Sequence, residues 1–113
     1  MTWYLLAHIL YKMYETTGRL DFEISEIENV LREMYCGYGV SIVDNREMLL
    51  DFLELLEYFR MVKLVDNRVV IVPDRLRYLE EIINRDIIMS GSTYLAYLRK
   101  RIDNALSSVL KKL

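Results

Sequence analysis

The stretch of residues 44–73 limits the possible folds more than any other part of the chain. Its first half repeats apolar side chains at steps of three and four residues, the spacing of a helix with one buried face. Its second half has two short runs of β-branched and bulky residues around Asp66-Asn67, a pair that can bend a chain sharply. The sequence therefore predicts a helix that ends near Arg60 and continues into a β-hairpin. The apolar residues of the predicted helix are Met48, Leu49, Phe52, Leu53, Leu56 and Phe59.

Three shorter elements precede this stretch. Residues 2–15 carry apolar side chains at helical spacing and predict a first helix. Residues 20–24 alternate between apolar and acidic side chains, which predicts a short strand that pairs with the hairpin. A second helix is predicted over residues 25–35, with Ser25 as its N-terminal cap and Glu28 completing a capping box.

Capping and helix-breaking residues mark the remaining boundaries. Asp44 or Asn45 can cap the long helix, and Pro73 ends the hairpin and begins a fourth helix. Small residues at 90–93 predict a break before a last helix. At 113 residues the chain has the size of one domain. The predicted fold class is mainly α with a small β-hairpin, an α+β architecture.

The last predicted helix has a nearly coiled-coil apolar seam, with its residues at steps of three and four. Such a seam can pair with a second subunit, or it can dock against helix one of the same chain. We expect pairing between subunits. The predicted dimer interface consists of Leu95, Leu98, Ile102, Ala105, Val109 and Leu113.

Charge is unevenly distributed along the chain, although the net charge is only −2. Residues 19–43 and residues 44–60 each carry two basic side chains against five acidic ones, whereas residues 74–113 carry eight basic against five acidic. The middle of the chain is therefore acidic and its last third is basic. Proteins that hold DNA through its phosphates usually show a basic footprint, so this distribution argues against simple phosphate binding by the middle segment.

No arrangement of residues predicts catalysis, a metal site or a cofactor. His8 is the only histidine, and no nucleophile lies near it in sequence. The carboxylates of Asp51, Glu54 and Glu57 fall on the solvent side of the long helix, and the Glu80-Glu81 pair is expected on the exterior. We therefore predict that the protein is not an enzyme.

Composition favours a particular compartment and habitat. The single cysteine, Cys36, cannot form an internal disulfide, which favours a reducing cytoplasm. No apolar run is long enough to span a membrane. The absence of glutamine and the scarcity of glycine and proline are typical of proteins from thermophiles.

The order helix, short strand, helix, helix, hairpin resembles the winged helix-turn-helix family, and LLEYFRMVKLVDNRVVIV is similar to that family's passage from third helix to wing. The resemblance covers residues 1–73. Residues 74–113 resemble the dimerisation helices that many small archaeal and bacterial regulators of this family append. The resemblance implies DNA binding, with bases faced by Ser41, Asn45 and Arg46 and phosphates touched at the wing by Lys63, Asn67 and Arg68.

Two functions follow from the resemblance and the charges. The first is a transcriptional regulator that binds double-stranded DNA as a homodimer. The second is a winged-helix module for protein contact, an accessory subunit of a replication, transcription or degradation assembly that does not bind DNA. The second arises because Asp44, Glu47 and Asp51 lie near the leading face of the third helix, where they would repel phosphates.

Overall fold

The computed structural model describes residues 3–91 and 93–112, and this part of the chain forms five helices and a small three-stranded antiparallel sheet. The predicted α+β class and the predicted hairpin are confirmed. In chain order the elements are α1 (Trp3–Thr17), β1 (Asp21–Glu23), α2 (Ile24–Tyr38), α3 (Arg46–Tyr58), β2 (Val62–Val65), β3 (Arg68–Ile71), α4 (Pro73–Ser90) and α5 (Thr93–Leu110).

The hairpin strand β3 lies in the centre of the sheet, between β1 and β2. Val69 is opposite Phe22 on one side and Leu64 on the other. The turn between β2 and β3 places Asp66 at a φ of 56°, a conformation that Asp tolerates better than most residues. The observed strand β1 is shorter than the predicted strand at residues 20–24. Ile24 already begins α2, and its N–H donates to the Asn67 carbonyl at 2.9 Å.

The caps of α2 differ from the predicted ones. Glu23, not Ser25, is the N-terminal cap, and Glu26, not Glu28, completes the capping box. The reason is that α2 follows β1 without a loop, so the last strand residue becomes the cap. The helix also runs past residue 35 to Tyr38, where Gly39 ends it in the left-handed conformation at φ 68°.

The predicted starts of α3 and α4 and the predicted break after α4 agree with the structure, and α1 and α3 each end two residues from the predicted position. Asn45 is the cap of α3, since its side chain accepts from the Met48 N–H at 2.8 Å. Pro73 is the first residue of α4, and Gly91 ends that helix at φ 66° within the predicted break. The predicted first residue of helix one, Thr2, lies outside the described residues.

One hydrophobic core joins the first 73 residues to the C-terminal helices. Helix α1 lies at its centre and contacts α3, α4, α5 and β3. Helix α5 packs against both α2 and α1. None of the helices in the described part of the chain is long and apolar enough to cross a bilayer.

The predicted dimer seam on α5 needs correction. Ile102, Ala105 and Val109 are buried within a single chain, with Ile102 only 1% exposed, so they are not available to a second subunit. The burial of these residues agrees with the alternative, in which the last helix docks within its own chain. Helix α5 docks against α2 as well as against α1. Leu95 and Leu98 are half-buried, and Leu113 lies outside the described residues.

Candidate interaction surface

The residues predicted to face DNA bases lie at the start of α3 and in the segment before it. Ser41 is exposed in the segment between α2 and α3. The side chain of Asn45 is used as a helix cap, and the guanidinium of Arg46 forms an ion pair with Glu28 on α2. Asn45 and Arg46 are therefore already engaged within the chain.

The residues predicted to contact phosphate lie on the hairpin. Lys63 and Asn67 are exposed. Arg68 is half-buried, and its guanidinium lies 2.7 Å from Asp21 and 3.3 Å from Glu23. Both carboxylates belong to β1, so Arg68 ties the hairpin to the first strand and its charge is neutralised there.

The outward face of α3 is acidic. Glu47, Asp51 and Glu54 are exposed and follow one another at steps of four and three residues, and the exposed Tyr58 continues the line. The residues on the opposite side, Leu49, Leu53 and Leu56, are buried in the core. We call Glu47, Asp51, Glu54 and Tyr58 the α3 stripe. Arg46, the basic residue of α3, lies to one side of the stripe against Glu28.

An aromatic row begins where the α3 stripe ends. Tyr58 meets Phe59 edge-on, with ring centroids 5.4 Å apart, and Phe59 stacks on Trp3 at 5.7 Å. Trp3 in turn meets Tyr4 edge-on at 6.3 Å. Tyr58 is 80% exposed, although a ring of this size gains free energy by burial. The end of α3 therefore offers aromatic contact area directly beside its carboxylates.

Basic side chains gather on a different side, beyond the end of α3. Arg60, Lys63 and Arg75 line an open cleft of about 490 Å³. Arg75 donates to the Phe59 carbonyl at 3.1 Å. The carboxylate of Glu57, in the same cleft, accepts from the Leu64 N–H at 2.7 Å. These basic residues could attract an anion, but they do not belong to the start of α3.

A buried charge network joins α1, α4 and α5. His8 is 2% exposed, and its Nδ1 lies 2.8 Å and 2.9 Å from the two carboxylate oxygens of Glu80. Its Nε2 lies 2.5 Å from Asp103. Arg99 also pairs with Glu80, and its Nη2 lies 3.0 Å from Nδ1. Both ring nitrogens face carboxylates, which favours the doubly protonated imidazolium, and in that state two cations balance two anions.

The pKa values in this network follow from that balance. Burial lowers the pKa of His8, but hydrogen bonds to Asp103 and Glu80 outweigh burial and raise it above 6.5. Burial raises the pKa of Glu80, but the hydrogen bond and charge of His8, together with Arg99, bring it below 4.5. The pKa of Asp103 is lowered in the same way, against the effect of burial, chiefly by its hydrogen bond to His8. The network is a charged link between three helices.

Sequence reasoning missed this network. It expected Glu80 on the exterior, whereas Glu80 is buried. A signal was present, because Glu80 lies four residues after the buried Leu76 and three before the half-buried Ile83, on the inward face of α4. Among residues 3–91 and 93–112, no group of three His, Cys, Asp or Glu side chains is arranged to hold a metal ion.

Comparison with known proteins found no matching protein-family model, no matching curated protein and no matching solved structure. The function must therefore be argued from the surface itself.

Proposed function

We propose that this protein is a winged-helix module that binds a protein partner through the α3 stripe, as an accessory subunit of a larger assembly. The winged-helix assignment is supported by the element order α1-β1-α2-α3-β2-β3 and by the sheet order β1-β3-β2, in which the hairpin joins the short first strand.

One observation carries the choice of a protein partner. The outward face of α3 has three carboxylates and an exposed tyrosine, whereas Arg46 and Arg68, the two arginines predicted to hold DNA, are paired with Glu28, Asp21 and Glu23. Three carboxylates near phosphates would cost roughly 1 kcal/mol each in water, which together lowers affinity by about a hundredfold. DNA binding through this face would also require the arginines to leave their carboxylates.

The composition of the surface indicates the chemistry of the partner. Interface hot spots are enriched in tyrosine and tryptophan, and charge complementarity steers and orients association. Tyr58 at the end of the α3 stripe would be the anchor, and Asp51 and Glu54 would meet basic side chains around it. The partner surface is therefore basic, with an apolar recess for the tyrosine ring.

Affinity capture from cells of the source organism tests this proposal with matched variants. The double variant Asp51→Lys with Glu54→Lys reverses two of the three negative charges of the stripe. The double variant Glu15→Lys with Glu33→Lys makes the same change in charge at exposed positions on α1 and α2. We expect one protein to be captured by the wild type and by the α1/α2 variant but lost with the stripe variant and with Tyr58→Ser. Equal capture by all four proteins would overturn the proposal.

A second candidate is the DNA-binding regulator, and one observation favours it. Arg60, Lys63 and Arg75 share one exposed cleft next to the hairpin, where they could follow a phosphate backbone. Binding to random duplex DNA that weakens steeply as salt rises, and that is lost with Lys63→Glu, would favour this function over protein contact.

A further inference from the structure

One face of helix α4 packs against the rest of the protein, and the opposite face is exposed to solvent. Its inward face carries the buried Leu76 and Glu80 and packs on α1. Its outward face carries Tyr78, Ile88 and Met89, which are 60%, 79% and 81% exposed. Between these apolar residues lie two exposed charged residues, Glu81 and Arg85. We call Tyr78, Glu81, Arg85, Ile88 and Met89 the α4 outer face.

The α4 outer face exposes three large apolar side chains. Burying a large apolar side chain stabilises a contact, and Tyr78, Ile88 and Met89 are each at least 60% exposed, so covering this face is favourable. The three apolar residues stand at the two ends of the face, because Glu81 and Arg85 lie between them. Two such faces, with the charged residues between them, would form a contact at the small end of specific interfaces, which usually bury about 1,200 Å² or more.

The order of residues on the α4 outer face is self-complementary. When a second α4 lies alongside in the opposite direction, one register sets Glu81 opposite Arg85 of the second copy and Arg85 opposite its Glu81. The same register sets Tyr78 opposite Ile88 of the second copy, at both ends of the contact. The midpoint of this register is at the level of Ile83 along the helix, although the side chain of Ile83 itself is on the inward face, and the half-buried Ile82 lies beside it.

We propose that two copies of this chain pair through α4, antiparallel, about a two-fold axis near Ile83. A second copy is the occupant because the register that pairs Glu81 with Arg85 also pairs the exposed Tyr78 with the exposed Ile88, so one reversed helix satisfies both the charges and the apolar ends. Within residues 3–91 and 93–112, neither Glu81 nor Arg85 is in an ion pair, so both charges are available to the second copy. The contact is isologous and closes at two subunits.

This pairing replaces the predicted seam on α5, whose central residues are buried within one chain. It rests on the α4 outer face alone, and it holds whether or not the α3 stripe binds a partner.

Charge reversal with sedimentation equilibrium tests the pairing. The wild type is expected to be a dimer. Glu81→Arg and Arg85→Glu should each weaken the dimer by about tenfold or more, because two like-charge contacts replace two opposite ones. Circular dichroism checks that each variant is folded. Glu33→Arg on α2 makes the same charge change as Glu81→Arg at an exposed site outside both surfaces and should leave the mass unchanged.

Mixing the two variants gives the most specific readout. An equimolar mixture of Glu81→Arg and Arg85→Glu chains places arginine opposite glutamate at both contacts, so the mixture should return to the wild-type dimer mass. The double variant should also be restored, because it exchanges the two charges within each chain. A monomeric wild type throughout a dilution series, single variants that dimerise like the wild type, or a mixture that stays monomeric would each overturn the proposal.

Discussion

Replacing His8 with glutamine tests whether the buried charge network stabilises the fold. Glutamine removes the positive charge and leaves at most one of the two bonds that the imidazolium donates to Glu80 and Asp103. A hydrogen bond to a charged group contributes about 1.5–3 kcal/mol. The contact with Asp103 contributes less, because that side chain is 45% exposed, and Glu80 keeps its pair with Arg99. We therefore expect the free energy of unfolding to fall by about 2–3 kcal/mol.

The pH dependence of this loss identifies its cause. The folded pKa of His8 is raised above 6.5, so its contribution is complete below pH 6.5 and is lost as pH rises through the folded value. The folded pKa of Glu80 is lowered below 4.5, so its contribution is complete above pH 4.5 and is lost as pH falls through the folded value. The network therefore stabilises the protein most between pH 4.5 and 6.5.

Urea denaturation of the wild type and His8→Gln at a series of pH values measures the effect. The difference in unfolding free energy should be greatest near pH 6 and should shrink in alkaline solution, while Glu15→Gln, an exposed change on α1, should alter stability by less than about 0.5 kcal/mol. A difference that stays constant from acid to alkaline pH would refute the proposal that His8 is protonated in the folded protein. A loss of unfolding free energy below about 1 kcal/mol would refute the proposal that the charge network stabilises the fold.

Three further substitutions test the fold. Asn45→Ala removes the 2.8 Å bond to the Met48 N–H, and urea denaturation should show a loss of about 1 kcal/mol. Ile102→Ala opens a cavity where α5 meets the core, and it should cost about 2–4 kcal/mol; a near-neutral result would contradict the burial of α5. Gly91→Ala puts a side chain at φ 66° with no neighbour within 4 Å, so its cost, about 1 kcal/mol, should come from the backbone alone and appear as a lower melting temperature.

The helix and hairpin of residues 44–73 could be predicted because the signals are local. A helical period followed by β-branched runs around Asp66-Asn67 determines both elements and the turn between them. The cap of α2 was mispredicted because Ser25 has the commoner capping chemistry, and only the pairing of β1 with β3 puts Glu23 in that position.

The role of α5 could not be predicted from its seam. A period of three and four shows that one face is buried, and it does not show which chain covers that face. In the structure α2 and α1 cover it, and the most exposed large aliphatic side chains among the described residues are instead Ile88 and Met89 on α4.

Whether a charged side chain is already in an ion pair depends on contacts between residues far apart in sequence. Arg46 lies near Glu28 only because the fold brings the start of α3 beside α2, and Arg68 meets Asp21 only through the sheet. The same holds for His8 and Glu80, which are 72 residues apart. Candidate DNA contacts could therefore be named from sequence, but whether their charges are already paired could not.

Titration of fluorescent duplex DNA with the protein, followed by anisotropy over a series of salt concentrations, tests the central claim most directly. The claim is that the exposed face of α3 contacts protein and not nucleic acid. We expect no binding even at about 50 mM salt, where phosphate contacts are strong. Binding that falls steeply with added salt, and that improves when Asp51 and Glu54 are replaced by lysine, would contradict the claim by showing that α3 faces DNA.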